Sequence, residues 1–375
     1  MYELHALSGR SHLRAVLLTS LLLAGCDQAT RDTSGGAGQP VETVLTADSA
    51  ISFPRPFTTV AGLRELEGGR VLVSDRSETR VVLADFATGD TVRVGREGAG
   101  PGEYAVPGAL VPLPGDSTLL VDEGAQRYAV IRSDGRIASN VNPPAGVLVT
   151  RLGGVGPGGE LYFEGTPGAG ASAGAGTRDS VPLLRWRRGE AHVDTVAQVR
   201  VPPLVSVTLG DPGAGAVSKI AFPQPFAPGD GWGVSAGGEL LILRAEPFRM
   251  ERRGGDGAPL GTGPGLRRAA VAVTEQDKEA FALGRAAAES IPWPATKPPF
   301  RYGTLRIAPA GEAWIELSAA ADDPAPLYGV LRADGTLVRL VRLPEGRRLV
   351  GLGRNSLYAV RKDEDDLEWV ERYAL

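Results

Sequence analysis

The sequence predicts an all-β fold: six four-stranded antiparallel blades in a propeller, with one inserted helix and an N-terminal strand that closes the ring. Three observations lead there. Glycine and proline supply 51 and 29 of the 375 residues, so turns are many and long helices few. A unit made of a turn, a strand, a break, a second strand and a further turn occurs six times. Finally, a lone four-stranded sheet cannot bury both its faces, whereas radial stacking hides them between neighbours.

The chain begins with an address. Arg10 and Arg14 precede a run over residues 15–23 that is apolar apart from Thr19 and Ser20. It falls far short of the roughly 20 residues a bilayer span requires, and reads as an export signal. The run ends in Leu23-Ala24-Gly25-Cys26, which resembles the bacterial lipoprotein signal. That resemblance implies removal of residues 1–25 and acylation of Cys26, the only cysteine, with more than one chain needed for stable anchoring. Loss of Glu3, Arg10 and Arg14 would take the net charge from −4 to −5. The partner implied is a membrane, reached through the lipid, and the location is the bacterial cell envelope. Residues 26–40, small and polar, read as a flexible tether.

The body, residues 41–375, carries the six units. They are Gly69-Arg70-VLVSD with TRVVLADF; Asp116-Ser117-TLLVD with RYAVI; Gly159-Glu160-LYFEG with VPLLRWRRG; Gly238-Glu239-LLILRAE with PFRMERRGGDG; Gly311-Glu312-AWIELSA with PLYGVLRADG; and Arg354-Asn355-SLYAV with LEWVERYAL. A short run precedes each, such as TVAGLREL or YGTLRIAP, and another follows most, which makes four strands per unit. The runs are nearly continuous in apolar residues, as expected when neighbouring blades cover both sheet faces. Units three and four lack the strand-ending Asp of Asp75 and Asp122, having Gly165 and Ala245 or Glu246 there.

Six units of about 56 residues exceed the usual 40 to 50, and three insertions hold the excess. Residues 165–180 are a Gly/Ala stretch, and residues 202–231 a long connection. The third contains a helix over residues 274–290, begun by Thr274 with Asp277 three positions on as an acidic capping box. It is expected to pack as an insertion over exposed edges, with a lid over the channel as its functional alternative. The last unit supplies three runs before the chain stops, so residues 41–53 are expected to pair beside residues 367–373 and cover the open edge.

The link GREGAGPGEYAVPGAL, residues 95–110, resembles the Gly-rich joint between blades of NHL-like and TolB-like six-bladed propellers. Residues 298–317 and 357–375 are similar to the closing blades of secreted propeller lipoproteins, many uncharacterised. The resemblance implies fold and location and no single activity. Within the link, the Glu103 carboxylate is expected to tie the joint to a neighbouring blade.

Catalytic patterns fail on context. Gly233 to Gly237 spells GxSxG, but a strand follows where a hydrolase elbow needs a helix, and no histidine follows His192. Gly154 to Gly159 spells GxGxxG and also leads into a strand. With His5 and His12 in the signal, His192 is the one imidazole left, which excludes a multi-histidine metal site. Basic residues are scattered arginines with only four lysines, so no nucleic-acid surface is indicated. A hard cation held by carboxylates is the alternative, since gluconolactonase-like six-bladed propellers place Ca²⁺ in the channel; Asp75 and Asp122, each ending a corresponding strand, are the candidate ligands, and otherwise no cofactor is implied. Against it stands a turn-capping role for both. Asp363 to Asp366 reads as a solvated turn. Trp186, Trp232, Trp293, Trp314 and Trp369 read as packing between blades rather than a sugar platform.

The leading expectation is a lipid-anchored binding or scaffolding module that engages a small molecule or protein at the channel mouth through Arg301, Tyr302 and Trp232. The alternatives are a calcium-dependent, lactonase-like hydrolase and a purely structural envelope component, the last favoured if no concave pocket exists.

Overall fold

A computed structural model describes residues 40–149, 152–165, 179–209, 218–281 and 291–375. It is a six-bladed β-propeller, each blade running outward in chain order from a strand on the central axis. Blade one comprises Val60–Glu65, Val71–Asp75, Arg80–Ala84 and Thr91–Val94. Blade two comprises Pro107–Pro112, Thr118–Asp122, Arg127–Ile131 and Ile137–Val141. Leu152–Val155, Leu161–Glu164, Ser180–Trp186 and Val193–Arg200 form blade three. Gly231–Val234, Leu240–Arg244, Arg249–Arg253 and Pro259–Thr262 form blade four. The inner strand of blade five is short, Arg306–Ile307, and Ala313–Leu317, Leu327–Leu331 and Leu337–Arg342 follow it. In blade six, Arg347–Leu352, Ser356–Lys362 and Glu368–Ala374 are completed from the other end of the chain.

Burial explains why the repeat was visible. Every residue of Val71–Asp75 and of Thr118–Asp122 is buried, so these second strands have two apolar faces rather than an alternating pattern. The turns into them need a left-handed residue: Gly159 and Gly238 sit at φ 82° and 83° in blades three and four. Apolar packing is divided among the blade interfaces. One cluster joins Val71, Val73 and Val82 of blade one to Tyr358, Val360 and Val370 of blade six. Five more join the remaining neighbouring pairs around the ring, and no blade buries its faces alone.

Ring closure follows the expectation in part. Ile51–Ser52 pairs antiparallel with Arg372 and Glu371, and the Phe53 N–H donates to the Val370 carbonyl at 2.8 Å. The earlier residues go elsewhere: Val41–Val44 lies parallel to Arg339–Arg342 as a fifth strand on blade five, with Glu42 paired to Arg342 at 2.7 Å. Blade five ends in an open edge carrying a cation, and an extended segment with a carboxylate satisfies both.

Two insertions also differ from expectation. Residues 202–231 include a hairpin, Leu204–Leu209 with Ser218–Pro223, where a plain connection was expected. The helix is Glu275–Ala280 with Thr274 and Asp277 forming the capping box, and the rest of its expected span, residues 282–290, lies outside the described residues, as do residues 166–178. Phe281 beyond it packs on Phe222 and Trp293 at centroid distances of 5.5 and 5.7 Å, in a small cluster away from the axis. Packed insertion, rather than lid, describes this part.

In the link between blades one and two, the Glu103 carboxylate accepts from Gly100 N and Arg96 Nε, both at 2.7 Å, and so closes its own loop. These donors hold its carboxyl below the ordinary value, the Gly100 N–H most of all. The tie to a blade comes from the next residue. Tyr104, fully buried, accepts from Val81 N at 2.8 Å and donates to the Val94 carbonyl at 3.0 Å, both in blade one.

Candidate functional site

The six inner strands surround a cavity of about 1170 Å³ with residues of all six blades in its wall. Glycine shapes that wall. A Cβ at Gly153 would lie 2.2 Å from the Trp232 ring, so the indole of blade four can lie across blade three only because no side chain stands there. Its Nε1–H donates to Glu164 Oε1 at 2.8 Å. By the same logic, Gly231 and Gly233 of blade four receive Leu305 and Ile307 of blade five. Those two side chains flank Arg306, and since successive residues of an extended strand point to opposite sides, Arg306 leaves the face turned from blade four.

Of the five acids in the wall, Glu67 is exposed and its carboxylate meets no donor among the described residues, while the other four are engaged. Asp116 takes Arg64, whose guanidinium also donates to the Ser117 carbonyl and Thr118 Oγ1. Burial lowers the Arg64 pKa, with Asp116 opposing. Glu65 accepts the Tyr358 hydroxyl at 2.6 Å and the Arg354 N–H at 3.3 Å, which ties blade one to blade six. Asp230 accepts from Arg200 N, Arg244 Nη1 and Ala245 N at 2.9, 2.7 and 3.1 Å.

Arg306 differs. Among the described residues nothing hydrogen-bonds or ion-pairs with its guanidinium, although protein surrounds it densely enough for desolvation to lower its pKa. Of the charges that act on it, Arg348 works in the same direction, whereas Tyr328 and Glu316 oppose. Glu316 directs its oxygens elsewhere, to Arg301 Nη1 at 3.3 Å and the Tyr328 hydroxyl at 3.4 Å. The Arg306 side chain nevertheless keeps solvent contact along the channel.

Of the contact residues expected from sequence, Trp232 and Tyr302 stand in the cavity wall and Arg301 does not. The Arg301 side chain is 72% exposed and held by Glu316. Cys26 lies outside the described residues. His192 is exposed and pairs with Asp194 at 3.0 Å beside the outer strand of blade three. Asp363 organises the last turn by accepting from Asp365 N, Leu367 N and Trp369 Nε1. Trp186 and Trp314 are buried between blades, while Trp293 belongs to the small cluster with Phe281.

Asp75 and Asp122 do not fit a channel calcium. Neither is in the cavity wall, and both are fully buried. Asp75 accepts from the backbone of Thr58, Thr59 and Glu78 and from Arg80; Asp122 accepts from the backbone of Ala105, Val106 and Ala125 and from Arg127. Each therefore pins the entry to its own blade's inner strand. Blade four, which lacks this Asp, makes the same tie in reverse: Asp230 stands at the inner-strand entry and receives Ala245 N from the second strand. Among the described residues no three His, Cys, Asp or Glu side chains converge as a metal site.

The sequence reading missed Arg306, Arg64 and the wall glycines. Their signal lay in the short run before each repeat, AGLREL, PGAL, LGGV, GWGV, GTLRI and VGLG, each holding glycine. Knowing that this run is innermost makes its charged residues channel residues.

No family model matches the chain, and no curated protein matches it. Solved structures do. A gluconolactonase from Xanthomonas campestris aligns at 12% identity over 89% of this chain and 95% of its own, with a TM-score of 0.46. A putative exported protein from Bacteroides fragilis aligns at 10% identity over 89% and 99%, with a TM-score of 0.46. A member of the DUF4221 family from Bacteroides vulgatus aligns at 12% identity over 88% and 98%, with a TM-score of 0.43. Likeness at this level says nothing of activity.

Proposed function

We propose that this propeller is a binding module of the bacterial cell envelope, held to a membrane by lipid on Cys26, with its central channel as the ligand site. The observation that carries the reading is the cavity of about 1170 Å³, to which all six blades contribute. It lies just above the usual size range of small-molecule sites and brings aromatic side chains, Trp232 and Tyr302, together with charged groups. Binding is favoured over catalysis because four of the wall's five acids, Glu65, Asp116, Glu164 and Asp230, each serve a protein donor, and the fifth, Glu67, is exposed. A carboxylate so occupied is poorly placed to move a substrate proton.

A crystallographic fragment screen tests the site: bound fragments are expected in the channel, and binding confined to the blade rims would overturn it. Anchoring has its own test. The wild-type protein is expected to sediment with membranes and Cys26→Ser to remain in the supernatant; equal partitioning of the two would remove the lipid from the proposal. Among the described residues no helix is long and apolar enough to cross a membrane.

A further inference from the structure

We propose that Arg306 makes the channel a site for a small organic carboxylate, bound through its guanidinium with the body of the ligand against the apolar and aromatic wall. This rests on the reading of the channel as the ligand site and adds the class of ligand.

The argument begins with a charge that has no partner. Arginine remains protonated in proteins, so Arg306 carries a full positive charge into the middle of the ring. Of the nearby carboxylates, Glu316 serves Arg301 and Tyr328, Glu65 serves Tyr358, and Asp116 serves Arg64. A cation held between protein walls without a counter-charge gives the fold no stability, even where its side chain stays open to channel water. A ligand that enters the channel can supply the missing anion. The five N–H donors of a guanidinium form a planar fork that a carboxylate matches with two parallel hydrogen bonds. Low-dielectric walls strengthen this pairing relative to water.

The wall holds five carboxylates against four guanidinium groups, a balance that repels a phosphate dianion more than a monoanion. Arg64 is already neutralised by Asp116, and Arg372 lies over the Phe86 ring at 5.0 Å. Arg354, also in the wall, stands in the bend after the inner strand of blade six, whereas Arg306, equally open to channel water, is on the inner strand of blade five. One unpartnered cation on an inner strand is therefore matched by one carboxylate. Trp232 and Tyr302 in the same wall offer surface for a planar or aliphatic body.

Benzoate, its uncharged analogue benzamide, and inorganic phosphate are suitable probes, titrated into the full-length protein and followed by calorimetry and ligand-observed NMR. Benzoate is expected to bind more tightly than either of the others. Arg306→Gln is expected to weaken benzoate about tenfold or more and leave benzamide unchanged. Arg306→Lys, which keeps the charge and loses the fork, should fall between, and Arg301→Gln on the rim should match wild type. Because Arg306 holds no protein partner, Arg306→Gln is expected to keep or raise Tm, whereas a structural arginine would lower it. The proposal is overturned if benzoate fails to bind at millimolar concentration, if it binds Arg306→Gln as well as wild type, if phosphate binds more tightly, or if Arg306→Gln unfolds while Arg306→Lys binds nothing. Neutral or cationic fragments filling the channel without contacting Arg306 would remove this inference and leave the channel as the ligand site; an empty channel in that screen would remove both.

Discussion

Asp75→Ala is expected to lower the free energy of unfolding by about 3–5 kcal/mol, and Asp122→Ala by a similar amount. Each carboxylate is fully buried and accepts four hydrogen bonds, three from backbone N–H groups and one from an arginine. Truncation leaves those backbone donors in a site that water reaches poorly, and strands the charge of Arg80 or Arg127. The arginines soften the loss to different degrees: the Arg80 side chain is 35% exposed and can turn to solvent, while Arg127 is 12% exposed. Asp122→Ala should therefore be the more damaging. Urea unfolding followed by tryptophan fluorescence reads the effect. The same experiment separates a structural carboxylate from a calcium ligand: chelator should leave the wild-type midpoint where it is, and calcium should rescue neither variant. A wild-type midpoint that falls with chelator as far as it falls with Asp75→Ala would contradict the capping role.

How much of this could be read from sequence depends on which faces a strand buries. VLVSD and TLLVD stand out as repeats because both their faces are covered, so composition alone marks them. Val41–Val44 is exposed throughout, and nothing in VETV says which of two open blade edges it joins. The choice of blade five depends on Arg342 and an edge that exist only after folding. The channel was half legible for a related reason. Trp232 and Tyr302 were identifiable as aromatics near inner strands, but Arg301 and Arg306 look equivalent in the sequence and differ by which side of the chain they leave. That side is set by Leu305 and Ile307 filling the space opposite Gly231 and Gly233, a contact between residues some 70 positions apart. Blade four's reversed cap at Asp230 was hidden likewise, because an Asp before an inner strand and an Asp after a second strand form the same tie from opposite ends.

The ring is held shut at the seam between blades six and one, and Phe53→Ala is expected to open it at a cost of about 3–5 kcal/mol. Phe53 is 1% exposed and lies 6.1 Å from Phe57 and 5.3 Å from Phe86 between ring centroids. Phe86 in turn meets Tyr358 of blade six edge-on at 5.8 Å, so one benzyl group lost at residue 53 unsupports aromatic packing from both blades. Backbone pairing across the seam is short: Ile51 and Ser52 with Arg372 and Glu371, then Phe53 with Val370, then Phe57 with Glu368 in both directions. The Glu368 side chain adds a bond to Val60 N at 2.7 Å and a pair with Arg348 at 3.0 Å. Few hydrogen bonds hold this edge, so its stability depends on the rings that exclude water from them. In Phe53→Ala, amide exchange should rise first along Glu368–Ala374, ahead of Val71–Asp75 and Thr118–Asp122. Val44→Ser is the matched control, since Val44 is 60% exposed on the outer strand of blade five and its loss should stay within about 0.5 kcal/mol. If the two substitutions cost the same, or if exchange in Phe53→Ala rises evenly over all six blades, the ring is not closed at this seam and its weakest joint lies between other blades.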